Sequence, residues 1–226
     1  MKKTILAIAT ILSFGASAEI VETVPVSYVF DMPTDSGAAD YADHTGEQLI
    51  DGLIHTDDEW LSDVGRGYAY DIVGWGEWAA GADVTFVNID FSFGDARYLD
   101  SLSYGAFTDQ GAAIYAPDVN VYALENGVWE LKNTLTVQHQ LRDETISTRD
   151  LFTIDLGFYA EQVRFEAVRT QDVPYREHYW TFIDEIDFFT NSNLSSAVSV
   201  NTGFGATGLL MAGLLGFSMR KRNGRK

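Results

Sequence analysis

Between residues 20 and 190 the apolar positions recur at every second residue, the period of a half-buried strand, and no helical period competes with it. In Asn88-Ile-Asp-Phe-Ser-Phe93, Ile89, Phe91 and Phe93 share one face with polar residues between them. The stretch DVNVYAL (118–124) places Val119, Val121 and Ala123 on one face and runs into Glu125-Asn126-Gly127. Asn-Gly predicts a two-residue hairpin, because a type I′ turn needs positive φ at both central positions, and VWEL returns as the partner strand. LFTIDL (151–156), QVRFEAV (162–168) and TFIDEIDFF (181–189) continue the series, and no internal repeat accompanies it. Strands broken by Gly, Asn and Asp turns predict an all-β domain over residues 19–190, a single antiparallel β-sandwich or jelly roll.

Both ends depart from this pattern. MKKTILAIATILSFGASA has two lysines, an apolar run and Ala16-Ser17-Ala18, which predicts a signal peptide over 1–18 and export. Residues 191–202 are Ser/Asn-rich and lack a core pattern, as in a linker. Phe204 to Met219 carries no charge and spans roughly 24 Å as a helix at about 1.5 Å per residue. Arg220, Lys221, Arg222, Arg225 and Lys226 follow it. The expected arrangement is a membrane helix over 203–219 with a basic cytoplasmic tail over 220–226, in keeping with the positive-inside rule.

Signal peptide, ectodomain, Gly/Leu-rich span and terminal Arg/Lys cluster together resemble the PEP-CTERM class of sorted bacterial surface proteins, on the strength of MAGLLGFSMRKR. The resemblance implies a cell-surface location, anchored or released, and a sorting protease as partner. The chain departs from the class in one respect: SVNTGFG, with no Pro-Glu-Pro, precedes the span.

Composition narrows the function classes. The chain has no cysteine, which excludes disulfides, zinc fingers and thiol catalysis. Aromatic residues make up 13%, ample for a packed core. The formal net charge is −18, and the exported segment is more acidic still, since two lysines lie in the leader and five cations in the tail. Lys132 is its only lysine. Such a field repels phosphate backbones, which argues against a nucleic-acid partner, and it attracts divalent cations.

The acids are crowded in two places. QLIDGLIHTDDEW (48–60) holds Asp51, Asp57, Asp58 and Glu59, and TFIDEIDFF holds Asp184, Glu185 and Asp187 among large apolar side chains. Three readings are open: catalytic acids, a cation site, or a solvated acidic face that keeps an edge strand from aggregating. Calcium takes six to eight oxygens at about 2.3–2.6 Å, which Asp, Glu, Thr and carbonyls supply. In a strict strand Ile183 and Glu185 share one face while Asp184 and Ile186 share the other, so a bulge or a strand end is needed to reconcile burial with charge. For catalysis the signals are poor. No HExxH, phosphate loop, Rossmann fingerprint or GxSxG context is present, and no catalytic residue is assigned.

The LIDG loop with its following Thr and Trp, VTFVNIDFSFG…YLDSLSYGAF, the DVNVYALENGVWEL pair, VRFEAV and IDEIDFF resemble, in kind and order, the galactose-binding-like jelly rolls of the discoidin or coagulation-factor F5/8 type C group. The resemblance covers residues 27–190. It implies noncatalytic binding of a carbohydrate or exopolysaccharide at one rim, and a structural calcium held by Asp51, Thr56 and Glu185; Asp57, without a counterpart in that group, is expected as an extra ligand from its place in the acidic stretch. Two stretches have the composition of such a rim: RGYAYDIVGWGEW (66–78), with Arg66, Tyr68, Trp75 and Trp78, and VPYREHYW (173–180), with Tyr175, Arg176, His178 and Tyr179. Tyr and Trp faces stack on the C–H side of a pyranose, and Arg or His bonds its hydroxyls. The same aromatics suit a sandwich interior. An adhesion or matrix protein and a polysaccharide-degrading enzyme are the alternative functions.

Overall fold

The computed structural model describes residues 19–34, 41–54, 72–76, 85–109, 114–138, 147–168 and 180–192. They form eight strands: β1 (Ile20–Glu22), β2 (Ser27–Phe30), β3 (Val73–Trp75), β4 (Phe86–Asp109), β5 (Asp118–Glu125), β6 (Val128–Leu135), β7 (Ser147–Val168) and β8 (Thr181–Asn191). Every pairing between these strands is antiparallel. The hydrogen-bonded order is β1-β8-β4-β7-β5-β6, with β2 also on β4 and β3 also on β8.

Two long strands fold this ladder over. Residues 86–92 of β4 pair with β2 on one side and with the end of β7 on the other, and that end of β7 carries β5 and β6. Beyond a register shift between Ser92 and Arg97, β4 pairs instead with the start of β7 and with β8, which carries β1 and β3. Inserted residues of this kind bend a strand and raise its twist. Rings from the two halves meet edge to face: Phe91 and Phe188 lie 5.1 Å apart, Tyr104 and Phe165 5.2 Å, Phe30 and Trp75 5.4 Å. The result is a two-layer all-β sandwich with its core between the halves.

The two-residue period holds where it was expected. Ile89, Phe91, Phe93, Val119, Val121 and Ala123 are all buried. The hairpin between β5 and β6 turns at Asn126 (φ 53°) and Gly127 (φ 81°), the two positive values a type I′ turn requires. LFTIDL and QVRFEAV prove to be one strand, β7, because Leu156 to Glu161 cross between the layers by a bend and not by a turn. The expected leader, membrane helix and basic tail, and residues 193–202 of the expected linker, lie outside the described residues; its first two residues are corrected, since Asn191 ends β8 opposite Ile20 and the Ser192 N–H donates to the Glu19 carbonyl at 3.0 Å. Among the described residues no helix is long and apolar enough to cross a membrane.

Candidate functional site

β8 is buried on both faces, so its charges need specific partners. Opposite Gly105 of β4 the register slips: Tyr104 faces Ile186 and Ala106 faces Ile183, leaving Asp184 and Glu185 against one residue. This bulge switches the phase of the strand, so that Ile183, Ile186 and Phe188 all enter the core. It resolves the conflict between burial and charge in IDEID.

The two acids inside the bulge have different fates. Asp184 is fully buried and forms a two-point ion pair with Arg149 of β7, Nε to Oδ2 at 2.5 Å and Nη2 to Oδ1 at 3.0 Å. Gly105 makes room for it, since a Cβ there would sit 2.1 Å from both the Arg149 and the Asp184 side chains. Glu185, only 3% exposed, turns toward the LIDG loop and accepts the Gly52 N–H on Oε2 at 3.1 Å. Burial, followed by the charges of Asp187 and Asp51, pushes its carboxyl up to about 8. Asp187 is raised as well, by burial and then by Glu22, and it accepts the Ser103 hydroxyl at 3.3 Å.

The loop that meets Glu185 is itself well tied. β3 and β1 pair with the two ends of β8, and the 49–52 loop docks between them, with Ile186 N–H donating to the Leu49 carbonyl at 2.8 Å. Leu49 is buried in the core, and its N–H donates to the Tyr28 hydroxyl at 3.1 Å. That hydroxyl donates onward to Asp43 at 2.7 Å. Gly52 has φ 76°, a conformation glycine adopts without strain, and Asp51 accepts the Leu53 N–H at 2.9 Å. Asp51 and Glu185, expected as calcium ligands from opposite ends of the chain, are therefore brought to one place. Thr56 and Asp57 lie outside the described residues. Among the described residues no three acidic or His side chains converge as a metal group. The donor set fits calcium in part: buried and neighbouring carboxylates favour a cation, while the backbone group aimed at Glu185 is an N–H, not a carbonyl.

A second feature sits on the outer face of the same layer. Trp180 leads into β8, stacks on Phe182 with centroids 5.3 Å apart, and meets the edge of Tyr41 at 5.9 Å. Phe107, Ile72 and Ile114 complete this small cluster, to which Trp180 is only partly buried. β3 runs beside the start of β8, Trp75 against Thr181, and brings Gly76 so close to Trp180 that a Cβ would lie 2.6 Å from its ring. The segment 41–54 serves both places, with Tyr41 in this cluster and Gly52 at Glu185.

Of the expected sugar contacts, Trp75 is corrected. It is fully buried, edge-on to Phe30 inside the sandwich, and presents no face to a ligand. Inward alternation from Val73 puts it there. Arg66, Tyr68, Trp78, Tyr175, Arg176, His178 and Tyr179 lie outside the described residues. The Arg149–Asp184 pair and the role of Gly105 were not anticipated. The signal for both was a Gly in an apolar strand and a pair of acids between two isoleucines.

No known protein family and no curated protein matches the chain. Among solved structures it is similar to a family 32 carbohydrate-binding module from NanJ of C. perfringens, in complex with galactose: 15% identity, TM-score 0.46, covering 76% of this chain and 100% of that one. A truncated AlyQ with CBM32 and alginate lyase domains gives 12%, 0.47, 77% of this chain and 34% of that one. A chitosan-binding module from the chitosanase/glucanase of Paenibacillus sp. IK-5 gives 12%, 0.44, 74% and 96%.

Proposed function

We propose that the chain is an exported, surface-associated carbohydrate-binding domain without catalytic function, whose ligand site forms where β3 and β8 run side by side. The single observation that carries this reading is the contact of Gly76 with Trp180. In sequence, Trp78 follows Gly76 by two residues, and His178 and Tyr179 immediately precede Trp180. The antiparallel β3–β8 pairing sets Gly76 beside Trp180, and these two residues belong to the two aromatic-rich stretches. Aromatic faces beside Arg and His are the groups that recognise a pyranose.

Calcium is the proposed brace. Asp51 and Glu185, with Thr56 and Asp57, would hold it, and its charge would balance a carboxylate that burial makes costly to ionise. Because the 41–54 segment also packs Tyr41 against Trp180, fixing its far end supports the aromatic edge. The test is glycan-array binding by the wild type and by Trp78→Ala and Tyr179→Ala. Binding lost in both variants, with unchanged melting, supports the reading, and unaltered binding in both removes it. For the brace, melting with calcium should exceed melting in chelator, because a ligand of the folded state alone stabilises by mass action. Asp51→Ala should abolish that difference.

One observation favours the adhesion alternative. Val24, Val26 and Val29 are exposed near the outer edge at β2, with Val26 65% accessible. Concentration-dependent self-association that Val26→Lys abolishes would establish it.

A further inference from the structure

We propose that Arg149 and Asp184 act as positioning residues for the Glu185 site, holding the β8 bulge that delivers Glu185 to the 49–52 loop. Its calcium readout, though not the positioning itself, rests on the reading of Glu185 as part of the brace. Without the bulge, residues 184 and 185 would keep strict alternation and Glu185 would point as Ile183 does, into the core. The extra residue is accommodated at Gly105, and the space above Gly105 is filled by the Arg149 guanidinium and the Asp184 carboxylate, each 2.1 Å from where a Cβ would be. The fork of two N–H groups on two carboxylate oxygens fixes the orientation of Asp184 more tightly than a single contact could. One residue further on, the Glu185 carboxylate then meets Gly52 N–H, and Ile186 N–H meets the Leu49 carbonyl. Asp184 is held by Arg149, and the role proposed for it is exerted through Glu185.

A buried ion pair can often be replaced by apolar side chains of similar volume without loss of stability. This separates positioning from simple stabilisation. In the full-length chain, Arg149→Met with Asp184→Leu is expected to melt near the wild-type temperature. Amide exchange in peptides covering 49–54 and 184–188 should nevertheless rise by about tenfold or more, as local opening does when a docked loop is released. The calcium-dependent rise in melting temperature should disappear. Exchange protecting both segments as in the wild type, with calcium stabilisation intact, would overturn the proposal.

If the double variant does not fold, Arg149→Lys decides, since it keeps the charge and loses the fork. Its exchange at Gly52 and Ile186 should rise while peptides from the β5–β6 hairpin stay unchanged; unaltered exchange overturns the proposal. Calcium alone, added to the wild type, tests the brace separately. No stabilisation of the wild type, together with faster exchange in Arg149→Lys, would end the calcium reading and leave the positioning role standing.

Discussion

The Gly52 N–H donates to the Glu185 carboxylate across 133 residues of sequence, joining the LIDG loop to β8. The bond lies among carboxylates. Asp51, Asp184 and Asp187 surround Glu185, and all three disfavour its ionisation.

Stability of the metal-free protein should therefore fall as pH rises. The folded-state carboxyl of Glu185 is raised from 4.5 to about 8, so the native state holds the proton through a range where the unfolded state has released it. The unfolding free energy then decreases with pH between about 4.5 and 8. Asp187 is raised too and adds to the same slope. Urea denaturation in chelator at pH 5 and pH 8 should show the higher midpoint at pH 5. Glu185→Gln, which cannot ionise, should remove much of the difference.

Trp75→Ala should unfold or strongly destabilise the protein, by about 3–5 kcal/mol as for other large-to-small changes in a core. The side chain is wholly buried between the layers. Loss of sugar binding in this variant would follow from loss of fold, which a melting curve measured beside the binding assay will show.

Gly76→Ala should act where the proposed ligand site is. Its methyl group would collide with the Trp180 ring at 2.6 Å, and crowding of this kind costs about 1–3 kcal/mol. Trp180 must shift from its stack on Phe182, so tryptophan fluorescence should change and glycan affinity should fall by more than the loss of stability accounts for.

Gly127→Ala provides the contrasting control. With φ 81° the position is in the left-handed region, where a side chain costs about 1–2 kcal/mol. The β5–β6 hairpin lies at the other end of the strand order from β8. The variant should melt earlier with unchanged carbohydrate and calcium responses.

Much of the architecture was legible without coordinates. A two-residue period depends only on neighbours in the chain, so the faces of β4, β5 and the second half of β7 could be assigned from Ile89, Val119 or Phe165 and their neighbours. The β5–β6 turn was equally local, because Asn126 and Gly127 carry the conformational preference themselves. The need for a bulge or a strand end in IDEID could also be stated in advance, from the clash between apolar burial and charge; the register slip opposite Gly105 decides for the bulge.

What alternation cannot reveal is where its phase changes or which layer a face belongs to. The bends in β4 and β7, the inward placement of Trp75, and the seat of Arg149 and Asp184 over Gly105 depend on strands far apart in sequence. Sequence alone determined that this chain forms amphipathic strands and crowds its acids into two segments. Only the tertiary structure decided that those segments meet at Glu185, because that meeting is set by which strands pair and by a one-residue slip in their register.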